Sequence, residues 1–361
     1  MAARIRPGRD MAGRRSGRTT GRAVAAGVAV AGAVGLGLLT IPAGAGAAPE
    51  LPPITAEALV SSVLAAHPGP FGGTVELDNQ LGLPSLPNMP QAADGTSTAR
   101  VWSDGEGRGR IQLPTDSGER TLVSDGTTFW SWNSEDRTVT RAPEHTGQRT
   151  EGSPGAATDP TAAATKALAA LRSSSEIGVD GTAEVAGRPA YELVLSPLPS
   201  ERTLLREVRI AVDAATRAPL RLTVLATGSS DPAVQLGFTD LTFGAQDPAL
   251  FTFTPPPGST VRDDQHRDDA RPAKPEGEHT VVGTGWDAVV VGKMQAPARS
   301  EGADGRRSDP PDLSALGTPV SGPWGSGRLI TTALGGAIIT DDGRIAVGAV
   351  PEPVLAEALS A

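Results

Sequence analysis

The chain has 361 residues, with 32 Lys and Arg against 41 Asp and Glu, four His and no Cys. That length exceeds what one core usually serves and predicts about two domains. The absence of cysteine excludes disulfides, thiol catalysis, a lipid-modified cysteine and every Cys-ligated metal site.

The charge is unevenly placed. Residues 1–22 hold seven Arg and one Asp, and the remainder carries 25 basic and 40 acidic residues, a net charge of −15. So acidic a body argues against nucleic acid as a partner and against tight binding to anionic headgroups. After the arginines, residues 23–41 are 19 residues without a charge, followed by Pro42 and the small-residue string AGAGAA. A basic flank, an apolar stretch and A-x-A triplets are the three parts of a secretory signal, with cleavage after Ala47 or Ala48. The same 19 residues would rise about 28 Å as a helix, so a retained N-terminal membrane anchor is the alternative. Both place the body outside the cytoplasm, secreted or tethered to the cell membrane.

The body reads mostly as strands. Residues 51–66 form a short predicted helix with Thr55 as N-cap and Leu59, Val63 and Leu64 on one face, ended by His67-Pro68-Gly69-Pro70. Strands follow over 71–81, 97–103, 109–113, 120–123, 127–132 and 138–141, separated by hairpin sequences such as Asp104-Gly105 and Asp125-Gly126. Residues 143–158 are a polar loop, and Asp159-Pro160 opens a second helix to about Leu171. Strands resume over 177–185, 189–195, 207–213, 219–225 and 233–243 with strict alternation, for example Tyr191, Leu193, Leu195 and Val208, Ile210, Val212. Period-two alternation means one wet and one buried face. The expected fold is α+β, a large curved antiparallel sheet with its helices on the concave side.

Residues 263–278 are a charged, Pro-containing linker. Beyond them the pattern predicts a small β-rich C-terminal domain over 279–361. It has a strand over 280–291, a loop over 295–311, a three-stranded sheet from 328–332, 337–340 and 345–350, and a terminal helical turn over 353–359.

Little here carries chemistry. His67, His145, His266 and His279 lie in Pro/Gly-rich or charged segments without metal-ligand spacing, so no metal site is expected. No G-x-S-x-G, Walker or dinucleotide-binding motif occurs, and Gly105-Glu-Gly-Arg-Gly109 reads as a turn between strands, so neither catalytic residues nor a cofactor is expected. The pairs Asp263-Asp264 and Asp268-Asp269 lack calcium-loop spacing and read as solvated linker, and Asp341-Asp342-Gly343 reads as a turn. Trp130 and Trp132 are two apart on one strand and share a face. Together with Trp102 and Tyr191 they are candidates for the wall of an apolar ligand site, with plain core packing as the alternative.

Three segments carry a family resemblance: VAGRPAYELVL (185–195), VRIAVDAATRAPLRL (208–222) and the closing FTFTPPPG (251–258). With the order helix, meander, helix, strands, residues 49–262 resemble the lipoprotein-carrier (LolA-like) superfamily, which includes the regulator RseB/MucB. The resemblance implies a β half-barrel closed on one side by helices around an apolar cavity. It also implies one of two partners: a lipid, acyl chain or lipoprotein held in that cavity, or a membrane-bound regulatory protein such as an anti-sigma factor. RseB-like proteins also append a small β domain.

Overall fold

A computed structural model describes residues 48–82, 94–115, 117–143, 169, 171–263, 279–293 and 317–361. The proposed leader with its cleavage site at Ala47, the predicted helix over 159–171 apart from two residues, and the linker beyond Asp263 lie outside them.

The first element is α1 (Ala56–Ala65). It is shorter than the 51–66 expected because Pro52 and Pro53 keep the preceding residues extended. Thr55 caps it, its side-chain oxygen accepting from Ala58 N at 3.2 Å. Six strands then form a meander: β1 (Phe71–Asn79), β2 (Gly95–Ser103), β3 (Gly109–Thr115), β4 (Gly118–Ser124), β5 (Thr128–Asn133) and β6 (Thr138–Pro143). Asp-Gly turns close the hairpins as expected. In the β2–β3 turn Asp104 Oδ1 accepts from Glu106 N and Arg108 N at 2.8 and 2.9 Å, while Gly105 takes a positive φ of 78°. The second run is β7 (Ser175–Val185), β8 (Arg188–Pro197), β9 (Leu205–Asp213), β10 (Pro219–Ala226) and β11 (Pro232–Phe243).

These strands join in one open sheet. With β12 (Thr260–Asp263) the order is β12-β6-β5-β4-β3-β2-β1-β11-β10-β9-β8-β7, so the two runs meet where β1 pairs with β11. One pairing departs from the antiparallel expectation: β12 runs parallel to β6. The chain travels back along the sheet after β11 and so enters its far edge in the same direction as β6. An Arg141–Asp263 ion pair fastens that edge.

A second, six-stranded sheet follows, in the order β13-β14-β18-β17-β16-β15. Two expectations for this region need correction. The stretch over 280–291 is not one strand: β13 (Thr280–Val282) and β14 (Val289–Lys293) pair with each other, Thr280 opposite Val291. Gly283 and Gly285, at φ 84° and 69°, let the chain reverse through a 3-10 turn at Gly285–Asp287. The three strands expected later are present as β16 (Gly325–Thr332), β17 (Gly335–Thr340) and β18 (Arg344–Gly348), but β14 pairs onto β18 and β15 (Thr318–Gly322) onto β16. Helix α2 (Glu352–Ser360) buries Val354, Leu355, Ala358 and Leu359 against Val289, Leu329, Ile338 and Ala346.

The two sheets touch along a polar seam. Trp286 donates its backbone N–H to Glu201 Oε2 and its indole N–H to Ser175 Oγ, both at 2.7 Å, while its ring packs on the first sheet's core. Leu204 N and Thr203 Oγ donate to Ala349 O at 3.0 and 2.6 Å, and Arg202 pairs with Glu357 at 2.6 Å.

Candidate functional site: an apolar floor on one face of the large sheet

Residues paired across a ladder share a face, so strand register assigns every side chain to one side of the sheet. Leu77 stands opposite Leu236, Leu236 opposite Leu222, Leu222 opposite Ile210, Ile210 opposite Leu193 and Leu193 opposite Val179. One apolar row therefore crosses six strands. The neighbouring row runs Val234, Val224, Val208, Leu195, Ile177. At about 4.8 Å between strands, this floor is about 24 Å across.

Only part of the floor is roofed by α1. Ala56 and Leu59 pack with Tyr191, Leu193, Leu195 and Val212, joined by Val63, Leu171 and Trp286. Leu171 is the last apolar position of the helix expected over 159–171. Towards β1 the side chains of Leu77, Leu222, Val224 and Val234 are half-buried rather than sealed. The alternation that marks these strands is visible in sequence. Their convergence on one surface is set by register.

The opposite face differs between the two runs. On β7 to β10 it is charged: Arg209 pairs with Glu207, Glu192 and Asp180, and Arg221 with Glu192, at 2.9–3.3 Å. On β2 to β6 it is aromatic. Trp102 stands opposite Arg110, Arg110 opposite Val123 and Val123 opposite Trp130, with Trp132 two residues on. β1 pairs with β2 over all nine residues without a shift, so the odd-numbered Leu77 and the even-numbered partner of Trp102, Gly72, lie on opposite faces. The four aromatic candidates are thus not one wall. Trp102, Trp130 and Trp132 share a face, and Tyr191 lies on the other, at the end of the floor.

Trp130 is packed against the chain's own return segment. Phe253 lies 5.6 Å from the Trp130 ring, Phe251 is 2% exposed, and Arg110 donates to Leu250 O at 3.4 Å. A Cβ at Gly72 would come within 2.7 Å of Trp102 Cδ1 and 2.6 Å of Gln246 Oε1, so glycine is needed there for the close approach. The Trp130 indole N–H donates to Asp125 Oδ2 at 3.0 Å. Partial burial raises the Asp125 carboxyl, but the donors from Trp130, Thr127 and Thr128 prevail and hold it down to about 2. Phe253 of the F-x-F-x-P segment therefore seats on Trp130, and Phe251 lies under the Arg108 guanidinium.

Beside the floor stands a buried ion pair. Asp213 is 0% exposed and accepts from Arg188 Nε and NH2 at 2.7 and 2.9 Å, and from Thr216 N and Oγ at 2.6 and 2.8 Å. Those contacts account for the Asp and Thr of the V-D-x-x-T-x-x-P-L segment. The Arg188 guanidinium also lies 4.7 Å over the Phe243 ring.

Among the described residues, no group of three or more His, Asp or Glu is placed to hold a metal ion. Of the two acidic pairs, only Asp263 lies among them, and it is paired with Arg141. Asp342 accepts from Thr340 and from Arg344 within its turn. No helix among the described residues is long and apolar enough to cross a membrane.

No protein-family model matches the chain, and no curated protein matches it. Solved structures do. The MucA/MucB complex of Pseudomonas aeruginosa aligns over 84% of this chain and 96% of that one, at 17% identity and a TM-score of 0.44. An uncharacterised conserved protein of Thermus thermophilus aligns over 57% and 96%, at 12% identity and 0.34. The LolA-superfamily protein NE2245 of Nitrosomonas europaea aligns over 56% and 99%, at 11% identity and 0.24. MucB is seen in complex with MucA, which is a property of that protein.

Proposed function

We propose that this is a non-enzymatic, extracytoplasmic binding protein that holds an apolar chain, from a lipid, an acyl group or a lipoprotein, on the six-strand floor. In this reading the large sheet is a half-barrel with its helices on the concave side. Residues 49–262 form the holding domain, 263–278 the linker and 279–361 an appended domain. Tyr191 belongs to the ligand side, whereas Trp102, Trp130 and Trp132 belong to the other face, where Trp130 seats the return segment.

The observation that carries the reading is the contiguous apolar floor, roofed by α1 at one end and half-buried at the other. The chemistry is desolvation. Each methylene removed from water contributes about 0.8 kcal/mol, so ten of them supply about 8 kcal/mol, the equivalent of micromolar affinity before the ligand's ordering costs are subtracted, and longer chains offset those costs. Native mass spectrometry of the purified protein is expected to show co-purified lipid, or a mass shift on adding fatty acid. A bare mass under both conditions would count decisively against the reading.

A second reading is a regulator that holds the extracytoplasmic part of an anti-sigma factor. The seam through Trp286, Ala349 and Arg202 favours it, because it joins the two sheets into one two-part surface. A pull-down with the purified external segment of such a factor tests it, and no retention would remove it.

A further inference from the structure

Two arginines stand at the Tyr191 end of the floor, and they are in different chemical states. Arg188 is neutralised by Asp213. Arg217, in the turn between β9 and β10, has no carboxylate partner among the described residues. Its guanidinium carbon lies 5.2 Å over the Tyr191 ring, and its NH1 is buried without a hydrogen-bond partner. The Tyr191 hydroxyl donates to Pro52 O at 3.0 Å and accepts nothing from Arg217 NH1.

The backbone sharpens the point. Arg217 has φ 61°, in the left-handed region that favours glycine, and its N–H is fixed to Asp213 O at 3.1 Å. A turn needing that conformation is most cheaply built with Gly or Asn. Here a long cation is held there instead, with a buried donor unused, a combination that native structures seldom keep without a ligand or a charge to serve. Tyr191 neighbours Leu193 on the floor, so the cation sits about one residue pair, roughly 7 Å, from the Leu193–Ile210–Leu222 row.

We infer that Arg217 reads the head of the ligand, so the molecule held on the floor is an anionic single-chain amphiphile whose carboxylate or phosphate meets this guanidinium. The inference rests on the apolar-floor reading and adds head-group selectivity to it. A guanidinium suits either anion, since its N–H groups match two oxygens at once.

The test is calorimetric titration of the purified protein with hexadecanoate, hexadecyl phosphate and neutral hexadecanol, and with inorganic phosphate alone. The anionic amphiphiles are expected to bind about tenfold or more tightly than hexadecanol, as one charge-assisted contact provides. Their order distinguishes a carboxylate from a phosphate ligand, and inorganic phosphate alone is expected not to bind. Arg217→Gln is expected to abolish the preference, bringing the anionic amphiphiles to the affinity of hexadecanol, and Arg217→Lys to keep part of it. Arg217→Gly suits the left-handed backbone, so it separates loss of the head contact from loss of the fold, and it too is expected to remove the preference. No preference in the parent protein, or a preference that survives in Arg217→Gln, would overturn the role of Arg217 and leave the floor standing. Failure to bind any amphiphile would overturn the floor reading itself, and this inference with it.

Discussion

Replacing Asp213 with alanine is expected to cost about 3–5 kcal/mol of folding stability, the largest single-site effect in the first sheet. The carboxylate is fully buried and spreads its accepting capacity over Arg188 and the Thr216 backbone and hydroxyl. Removing it leaves the Arg188 guanidinium three-quarters buried with its counter-charge gone, and opens the β9–β10 turn whose donors it satisfied. Burial by itself raises the Asp213 carboxyl, but the Arg188 and Thr216 donors prevail and hold it below its ordinary value. A depressed carboxylate contributes stability above its unfolded value, about 3.9, and loses it as pH falls towards the folded value. Urea denaturation at pH 7 is expected to show the full loss in Asp213→Ala, and the gap between parent and variant is expected to narrow below about pH 4. A variant within 1 kcal/mol of the parent at pH 7 would refute this account of the pair.

Leu59→Ala is expected to destabilise by about 2–5 kcal/mol, the range for emptying a sealed aliphatic site. Leu59 is 0% exposed and is the point where α1 enters the cluster of Tyr191, Leu193, Leu195 and Val212. The helix is ten residues long, too short to persist in water without that packing. Hydrogen exchange over 56–65 is expected to quicken more than in the meander strands β2 to β6. Unchanged protection of α1 in the variant would mean that the helix is held by something other than the floor.

What the sequence made legible follows the reach of each signal. Local chemistry read well: Thr55 as a cap, the Asp-Gly turns, and the alternation that marks Tyr191, Leu193 and Leu195 as one-sided. Alternation says that a strand has a buried face, but not whether two distant strands turn that face the same way. The parity linking Trp130 to Tyr191 passes from ladder to ladder and along β1 from Gly72 to Leu77, and none of that leaves a mark in composition. So four aromatics read as one wall prove to lie on opposite faces. The Gly-Thr-Gly reversal at 283–285 was hidden for a related reason. Valines on both sides favour a strand strongly enough to mask two glycines whose positive φ makes a hairpin. Leu77, Leu222, Val224 and Val234 stood among the alternating positions, but only register makes them neighbours. Arg217 carried no sequence signal, because its significance lies in having no acid beside it.

In the proposed function the ligand lies on the floor of β1 and β7 to β11, and not on the tryptophan face. The most direct measurement is photolabelling of the purified protein with a fatty acid carrying a photoreactive group midway along its chain, followed by digestion and mass spectrometry. Labels are expected on peptides holding Leu77, Leu222, Val224 and Val234. Labels concentrated on Trp102, Trp130 and Trp132 would contradict it.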